Sequence, residues 1–308
     1  MRRIRSFFPL LILPLLTSCS RPFTAEALPI PSTQPPHLDV YITADDRMAR
    51  MDIETYLLGV VAGEMPNDWP LEALKAQSIL ARTFVLKFIT EKDSKYSGAD
   101  ISTDITEAQA YNTAAVNSRI RQAVQETSGL ILLTENHTLP YTWFHSHSGG
   151  MTETAQDGID WQGTEPSYTK VTDGNDSADA PDAVKAWSAF FSKKDFIAAC
   201  RDIGADVTSC DVIQIGRQGK SGRAVTLWVD GTTVNAARLR ISLGSAKMRS
   251  TLLTNIVVDD QTVTLSGRGY GHGVGMPQWG AYALAKLGKS GEEIALHYYN
   301  GLQIVKAW

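Results

Sequence analysis

The chain has 308 residues, of which 43% are hydrophobic and 20% are charged, and its formal net charge at pH 7 is −4. This length allows one large domain or two lobes, and the composition is ordinary for a soluble globular protein, so it names no function by itself. Removal of a leader that carries Arg2, Arg3 and Arg5 would take three positive charges from −4 and leave −7. Such an acidic protein is a poor candidate for sequence-independent nucleic-acid binding, and we expect no nucleic-acid partner.

The N-terminus has the features of an export signal. Residues 1–19 combine a basic start, an apolar stretch over 7–16 and small residues before Cys19, and they are too few to span a bilayer as a helix. The run LTSC at 16–19 resembles a bacterial lipobox, in which the cysteine thiol is acylated and becomes the new N-terminus. We therefore expect an exported lipoprotein, anchored to a membrane of the cell envelope by acyl chains on Cys19. An ordinary signal peptide that ends at a chance cysteine is the alternative.

A proline-rich segment, residues 20–36, predicts an extended tether between the membrane and a domain that spans 37–308. Alternating apolar and polar residues over 38–42 predict the first strand. Apolar residues at helical spacing then predict a helix over 52–62, which should stop at Gly63 and be followed by a turn.

The next predicted element is a long helix from Pro70 to about Thr90. Small residues in the middle of its apolar stripe indicate close approach to another element, so we expect this helix to be central to the core. Later elements are predicted strands over 128–150, 224–229 and 261–265, a surface excursion over 157–182, and closing helices over 278–287 and 291–299. The mixture predicts an α+β fold in which a central helix packs on mixed β structure, with one lobe or two.

Two cysteines, Cys200 and Cys210, remain after the N-terminal segment. In an exported protein a disulfide between them would persist, and we predict one. Two buried thiols are the alternative, because spacing does not show whether the side chains face each other.

Four segments carry a resemblance to a known family. They are DIETYLLGVVAGEMPNDWPLEALKAQSILARTF (52–85), FHSHSGGMTE (144–153), GRGYGHGVGMPQWGAYALAKLG (267–288) and EEIALHYYNG (292–301). In this order they resemble the sporulation stage II protein D family, which includes the amidase enhancers, whereas residues 155–260 match it loosely. The resemblance implies a peptidoglycan lytic transglycosylase that acts on glycan stripped of its stem peptides, or a helper of the amidase that strips it. We predict no cofactor, and if the fold has two lobes we expect them to lie around a glycan-binding cleft.

The resemblance makes Glu64, in the motif VVAGEMP, the catalytic acid. The predicted position of Glu64, between a helix-ending glycine and a turn, independently favours a carboxyl that faces a cleft. A carboxyl with a raised pKa can donate a proton to the leaving oxygen of a glycosidic bond. Muramic acid carries its own nucleophile, the 6-hydroxyl, so one carboxyl that donates and then accepts a proton is enough. A solvated loop glutamate is the alternative.

The resemblance also implies site roles for Lys75, Gln77 and Arg82 in LKAQSILAR. At about 100° per residue, Lys75 and Arg82 fall near the same edge of the apolar stripe and Gln77 falls on the opposite edge. We expect Gln77 to brace the fold, and Lys75 and Arg82 to lie near the lactyl carboxylates of stripped glycan, where arginine can bind bidentately. Solvated helix charges are the alternative for the two cations.

Alternate glycines over 267–275 leave the backbone open to close approach, as in a groove that holds a sugar chain. His272 lies among them and is predicted either to contact substrate or Glu64 or to bond to backbone. Gln278 follows as a predicted substrate-binding residue, and Trp279 is expected to pack in the core.

The pair His145 and His147 has two interpretations. The resemblance implies that His145 and the glycines after it form a cleft wall that contacts substrate. The alternative is zinc, with Glu153 or Asp157 as a third ligand, although the spacing fixes no full ligand set and we predict no metal. Three hypotheses therefore stand: a lytic transglycosylase, a non-catalytic amidase enhancer or glycan-binding protein, and a zinc hydrolase.

Overall fold

The computed structural model describes residues 32–308, so the predicted signal peptide, Cys19 and most of the predicted tether lie outside the described residues. The helices of this part are α1 (Ile53–Glu64), α2 (Leu71–Glu91), α3 (Ser118–Glu126), α4 (Ala155–Ile159), α5 (Asp182–Lys185), α6 (Lys193–Asp202), α7 (Ala236–Ser242), α8 (Gln278–Lys286) and α9 (Gly291–His297), with a 3₁₀ turn at Thr113–Ala115. No helix within 32–308 has the length and apolar character needed to cross a membrane.

Thirteen strands occur in the same part of the chain. They are β1 (His37–Ile42), β2 (Arg47–Asp52), β3 (Ile101–Ser102), β4 (Leu130–Thr134), β5 (Phe144–His145), β6 (Ala186–Ser192), β7 (Ile213–Ile215), β8 (Thr226–Val229), β9 (Thr232–Asn235), β10 (Leu253–Val258), β11 (Thr262–Arg268), β12 (Met276–Pro277) and β13 (Leu302–Lys306). Their sheets are small, with orders β2-β1-β3, β10-β11-β6, β7-β8-β9, β12-β5 and β13-β4. The structure confirms the predicted α+β class.

Two hydrophobic cores divide the described residues into two lobes. The first core surrounds α1 and α2 and includes residues of β1, β4, α8 and α9. The second core is built from β6, α6, β8, α7 and β11. The chain enters the second core at Trp187 and leaves it at Leu265, so the second lobe is an excursion between two halves of the first. Of the two arrangements left open by the sequence, the structure has two lobes.

Helix α2 is central to the first lobe, as predicted. It packs against α1, α3, α8, α9 and β4, and its small residues Ala76 and Ala81 are fully buried. Residues on all sides of the helix are buried, because it is surrounded by other elements. Pro70 is the N-cap of this helix and lies just before its first turn.

The predicted disulfide is wrong. Cys200 and Cys210 are both buried in the second core, and both thiols are free. Burial raises the pKa of Cys200 to about 12. The alternative of two buried thiols is the one that the structure shows.

Candidate active site

The C-terminal half of α1 carries two glycines that receive a distant loop. A Cβ at Gly63 would lie 2.7 Å from the backbone nitrogen of Tyr111, and a Cβ at Gly59 would overlap the Tyr111 ring. The ring of Tyr111 also stacks on Tyr56 of α1, with centroids 5.5 Å apart. Gly63 therefore serves close packing and does not end the helix, which continues through Glu64 to an extended Met65. This corrects the prediction that the helix stops at Gly63.

Because α1 continues for this extra residue, Glu64 occupies the last helical position and faces the loop. Its Oε1 accepts a hydrogen bond from the backbone N–H of Ala110 at 2.7 Å. Its Oε2 accepts one from Nε2 of Gln278 at 3.3 Å. Gln278 is the first residue of α8, so the carboxyl lies where α1, the 103–112 loop and α8 meet. The structure thus brings together two of the predicted site residues, Glu64 and Gln278.

The electrostatic surroundings of Glu64 favour its protonated form. Burial raises the pKa of the carboxyl, and the hydrogen bonds from Ala110 and Gln278, which favour the ionised form, offset this only in part. No lysine, arginine or histidine nitrogen of residues 32–308 forms an ion pair with Glu64. A carboxyl in this environment is suited to hold a proton and release it.

Aromatic side chains lie next to both partners of this contact. Trp279 follows Gln278, and its ring centroid is 4.6 Å from that of Trp69 and 5.2 Å from that of Tyr282. Trp69 lies in the turn after Glu64 and is 8% exposed. Trp279 packs against the first core, as expected, and remains half-buried.

Arg82 lies away from Glu64, at the opposite end of α1. Its Nε and Nη2 donate to the two carboxylate oxygens of Glu54 at 3.0 and 2.6 Å, and Nη1 donates to the carbonyl of Leu130 at 3.0 Å. Ten residues separate Glu54 from Glu64, which is roughly 15 Å along the helix. The guanidinium is fully buried and has no exposed surface with which to meet a glycan. This geometry contradicts the expectation that Arg82 binds lactyl carboxylates.

Lys75 forms ion pairs with neighbouring carboxylates, whereas Gln77 lies in the protein interior. The ammonium of Lys75 pairs with Glu72 at 2.8 Å and with Glu126 at 2.6 Å. Burial opposes its charge, but these two hydrogen bonds outweigh burial and raise the pKa of Lys75. Gln77 is fully buried, and neither amide atom has a hydrogen-bond partner among residues 32–308. Neither side chain makes a hydrogen bond to Glu64.

His145 and His272 form a second pair of predicted residues that the fold brings together, with ring centroids 5.4 Å apart. Val274 contacts both rings: its carbonyl oxygen lies 3.2 Å from Nδ1 of His145, and its backbone N–H donates to Nδ1 of His272 at 3.0 Å. Burial, with the nearby charges of Arg240 and Arg223, lowers the pKa of His272 to about 3, and burial also lowers the pKa of His145 well below its ordinary value. Both imidazoles are therefore neutral, and neither makes a hydrogen bond to Glu64.

The glycine-rich strip beside these histidines packs against protein. Gly271 has φ +120°, and a Cβ there would lie 2.5 Å from the Cβ of His145. At Gly275 a Cβ would overlap the carbonyl oxygen of Trp143. These glycines allow β12 to pair with β5, in the register that sets Pro277 opposite His145. The expectation that they line an open sugar groove is wrong at these positions.

The side chains considered for a zinc site are engaged elsewhere. Glu153 is fully buried and accepts hydrogen bonds from the backbone N–H and the hydroxyl of Ser221 at 3.0 and 2.6 Å. Asp157 pairs with Arg217 at 2.7 Å. No group of three or more His, Cys, Asp or Glu placed to hold a metal occurs within residues 32–308.

Comparison with known proteins identifies the family. A model of the Stage II sporulation protein family matches residues 42–133. The Stage II sporulation protein D of Bacillus subtilis is 30% identical over 289 residues, which cover 89% of this chain and 80% of that protein. This chain belongs to the Stage II sporulation protein D family. An uncharacterised protein of Brachyspira hyodysenteriae is 31% identical over 271 residues, 88% of this chain and 70% of that protein. The amidase enhancer of Bacillus subtilis is 30% identical over 291 residues, 80% of this chain and 39% of that protein.

The range matched by the Stage II sporulation protein model contains Glu64, Ala110 and the Arg82–Glu54 pair, whereas Gln278 lies outside it. Sequence reasoning did not find Ala110 or Glu54. Ala110 contributes only its backbone N–H, which has no signature in sequence. Glu54 lies in the first turn of α1, and its partner Arg82 is 28 residues further along the chain, so no local pattern connects the two.

Proposed function

We propose that this protein acts on the bacterial cell wall as a lytic transglycosylase, which cleaves peptidoglycan glycan strands stripped of their stem peptides, with Glu64 as the single acid and base. Membership of the Stage II sporulation protein D family supports a cell-wall role. The observation that carries the enzymatic part is the contrast between the two carboxyls at the ends of α1. Glu54 forms an ion pair with the buried Arg82, whereas Glu64 is half-buried, has a raised pKa and has no cationic partner in the described residues.

This contrast matters because a general acid must be protonated before it acts. An adjacent arginine favours the ionised form of a carboxyl. Glu54 has such a neighbour in Arg82, whereas Glu64 has none among residues 32–308. Within residues 32–308, Glu64 receives two hydrogen bonds, from the backbone N–H of Ala110 and from the side-chain amide of Gln278. These donors orient the carboxyl and stabilise the carboxylate formed after proton transfer without abolishing its basicity.

The reaction balances with one carboxyl. Glu64 gives its proton to the glycosidic oxygen as the bond from that oxygen to C1 of muramic acid breaks. The Glu64 carboxylate then takes the proton of the 6-hydroxyl of the same sugar, and O6 forms the new bond to C1. The products are a free sugar end and a 1,6-anhydro end. No water is consumed, and Glu64 is again protonated.

The substrate and the setting belong to the same proposal. One relative is named amidase enhancer, and we place an N-acetylmuramoyl-L-alanine amidase upstream, where it removes the stem peptides. The protein works in the cell envelope after export, held by lipid on Cys19. A non-catalytic amidase enhancer or glycan-binding protein is the second candidate, and the name of that relative favours it.

The test is Glu64→Gln, which preserves the size of the side chain and removes its transferable proton. We expect wild-type fold and glycan binding with cleavage reduced about 10²- to 10⁴-fold, the usual contribution of general acid/base catalysis. Mass spectrometry of products from amidase-treated and untreated peptidoglycan should show 1,6-anhydro ends, formed mainly from treated material.

Glu135→Gln is the matched control, because Glu135 is an exposed glutamate outside the segments that contact Glu64. It should leave cleavage unchanged. Unaltered turnover by Glu64→Gln would remove Glu64 from the mechanism, and absence of cleavage by the parent would favour the non-catalytic candidate. Hydrolysed ends, heavier by one water, would indicate a second carboxylate such as Asp68 or Glu72. Glu72 is engaged with Lys75 and with the N–H of Gly291.

A further inference from the structure

A cavity of about 480 Å³ opens on the surface between α4 and the 217–223 loop, outside the Glu64 site. Its wall includes Trp161, Lys220 and three carboxylates, those of Asp157, Asp160 and Glu165. The lining is polar or charged apart from this one aromatic ring, which suits a hydroxylated ligand such as a sugar.

Trp161 is fixed as a platform on this wall. Its Nε1 donates to the carbonyl of Thr164 at 3.2 Å. Tyr141 and Trp143 pack against it edge-to-face, with centroids 5.6 and 5.5 Å away. The ring stays half-buried and lines the cavity with its remaining surface. An indole face of this kind takes the apolar C–H face of a sugar ring.

The carboxylates of the wall are already engaged within the protein. Asp157 pairs with Arg217 at 2.7 Å, and Asp160 pairs with Arg238. Glu165 accepts hydrogen bonds from the backbone N–H groups of Ala155 and Gln156 at 2.8 and 2.7 Å. These bonds fix the carboxylates and leave them little capacity to bind a cation from outside.

Lys220 is the exception, because it is exposed and forms no ion pair with any residue of 32–308. The loop that carries it is fixed by the buried Glu153, which binds the N–H and hydroxyl of Ser221, and by a bond from the N–H of Gly219 to the carbonyl of Arg223 at 2.8 Å. A held loop thus presents one free ammonium beside an aromatic platform.

We propose that this cavity is a second glycan subsite, in which Trp161 stacks on a sugar ring and Lys220 pairs with the lactyl carboxylate of a muramic acid unit. It rests on the proposed function for its substrate class. The pair of strands β5 and β12 connects the cavity with Glu64. Trp143, just before β5, contacts Trp161, and its carbonyl accepts a hydrogen bond from the N–H of Met276 in β12 at 3.1 Å. Gln278, two residues further, contacts Glu64. A polymer that engages both places is held more tightly than one that engages either.

The experiment measures binding in the full chain with Glu64→Gln, so that the glycan is not cut during titration. The probes are stripped glycan strands and the same strands with their lactyl carboxylates converted to methylamides. Trp161→Ala should weaken binding of both probes by about tenfold, as truncation of a buried anchor does. Lys220→Gln should weaken binding of the native strands several-fold and leave the methylamide strands unaffected.

Matched controls are Trp228→Ala and Lys194→Gln, an exposed tryptophan and an exposed lysine of the second lobe, which should not change either affinity. Trp161→Phe guards against misfolding, because it keeps a ring against Tyr141 and Trp143 and should lose less affinity than the alanine variant. Equal affinities of the parent and of Lys220→Gln for the native strands would overturn the subsite. So would a loss of affinity in Lys220→Gln that is the same for the native and the methylamide strands. Those results would leave the cleavage proposal standing, since products of the protein with Glu64 intact test it separately.

Discussion

Replacement of Arg82 by methionine tests whether this residue serves the fold or the substrate. Arg82 is fully buried and Glu54 is 17% exposed at its side chain, and breaking such a pair from one side costs about 3 to 5 kcal/mol. Glu54 keeps three other donors, the hydroxyl of Ser128, the N–H of Gly129 and Nε1 of Trp308. Since the carboxylate is not left bare, we expect the lower end of the range, about 3 kcal/mol lost from the free energy of unfolding.

Urea denaturation of Arg82→Met, Glu54→Gln and the double variant measures this loss and the coupling between the two side chains. The double variant should lose less than the sum of the single variants, because each single change leaves its partner incompletely satisfied. Glycan affinity of folded Arg82→Met should equal that of the parent. A loss of stability below about 1 kcal/mol together with weakened glycan binding would refute this reasoning and indicate that Arg82 binds substrate.

Two further predictions concern the acid and the anchor. Gln278→Leu removes a hydrogen-bond donor that favours the ionised form of Glu64, so the pKa of Glu64 should rise further. The alkaline limb of the pH–activity profile should therefore move to higher pH. An unmoved limb would show that the 3.3 Å contact between Gln278 and Glu64 does not persist in solution. Cys19→Ser should release the protein from membranes in cell fractionation, and a variant that stays as firmly bound as the parent would exclude the lipid anchor.

Elements with a strong local pattern were predictable from sequence, and those formed by pairing were not. The periodic apolar residues of α1, α2 and α8 and the alternation in β1 all correspond to observed elements. Strand β2 has the sequence RMARMD, which contains no buried residue, and it forms because it pairs along the whole length of β1. Helix α3 buries only Ile120, Ala123 and Val124, too short a stripe to indicate a helix beforehand.

The same limit applies to the site residues on α2. A projection of the α2 sequence at about 100° per residue treats the helix as having one buried stripe with two edges, and it places Lys75 and Arg82 on the same edge. The helix is instead enclosed on all sides, so position relative to a stripe does not tell which neighbour a side chain meets. Lys75 reaches Glu126 of α3, and Arg82 reaches Glu54 of α1. Only tertiary contacts decide between these partners.

The site residues that the resemblance implies therefore divide into two groups. Arg82 and Lys75 pair with carboxylates of the protein itself, which an enzyme and a non-catalytic relative would need equally. Their presence does not separate a transglycosylase from an amidase enhancer. Glu64 differs, because this half-buried carboxyl has no counter-charge in the described part of the chain, 32–308. Its ionisation therefore costs stability that no ion pair with those residues offsets. Such a group is expected where a proton must be exchanged, and the case for catalysis rests on this one side chain.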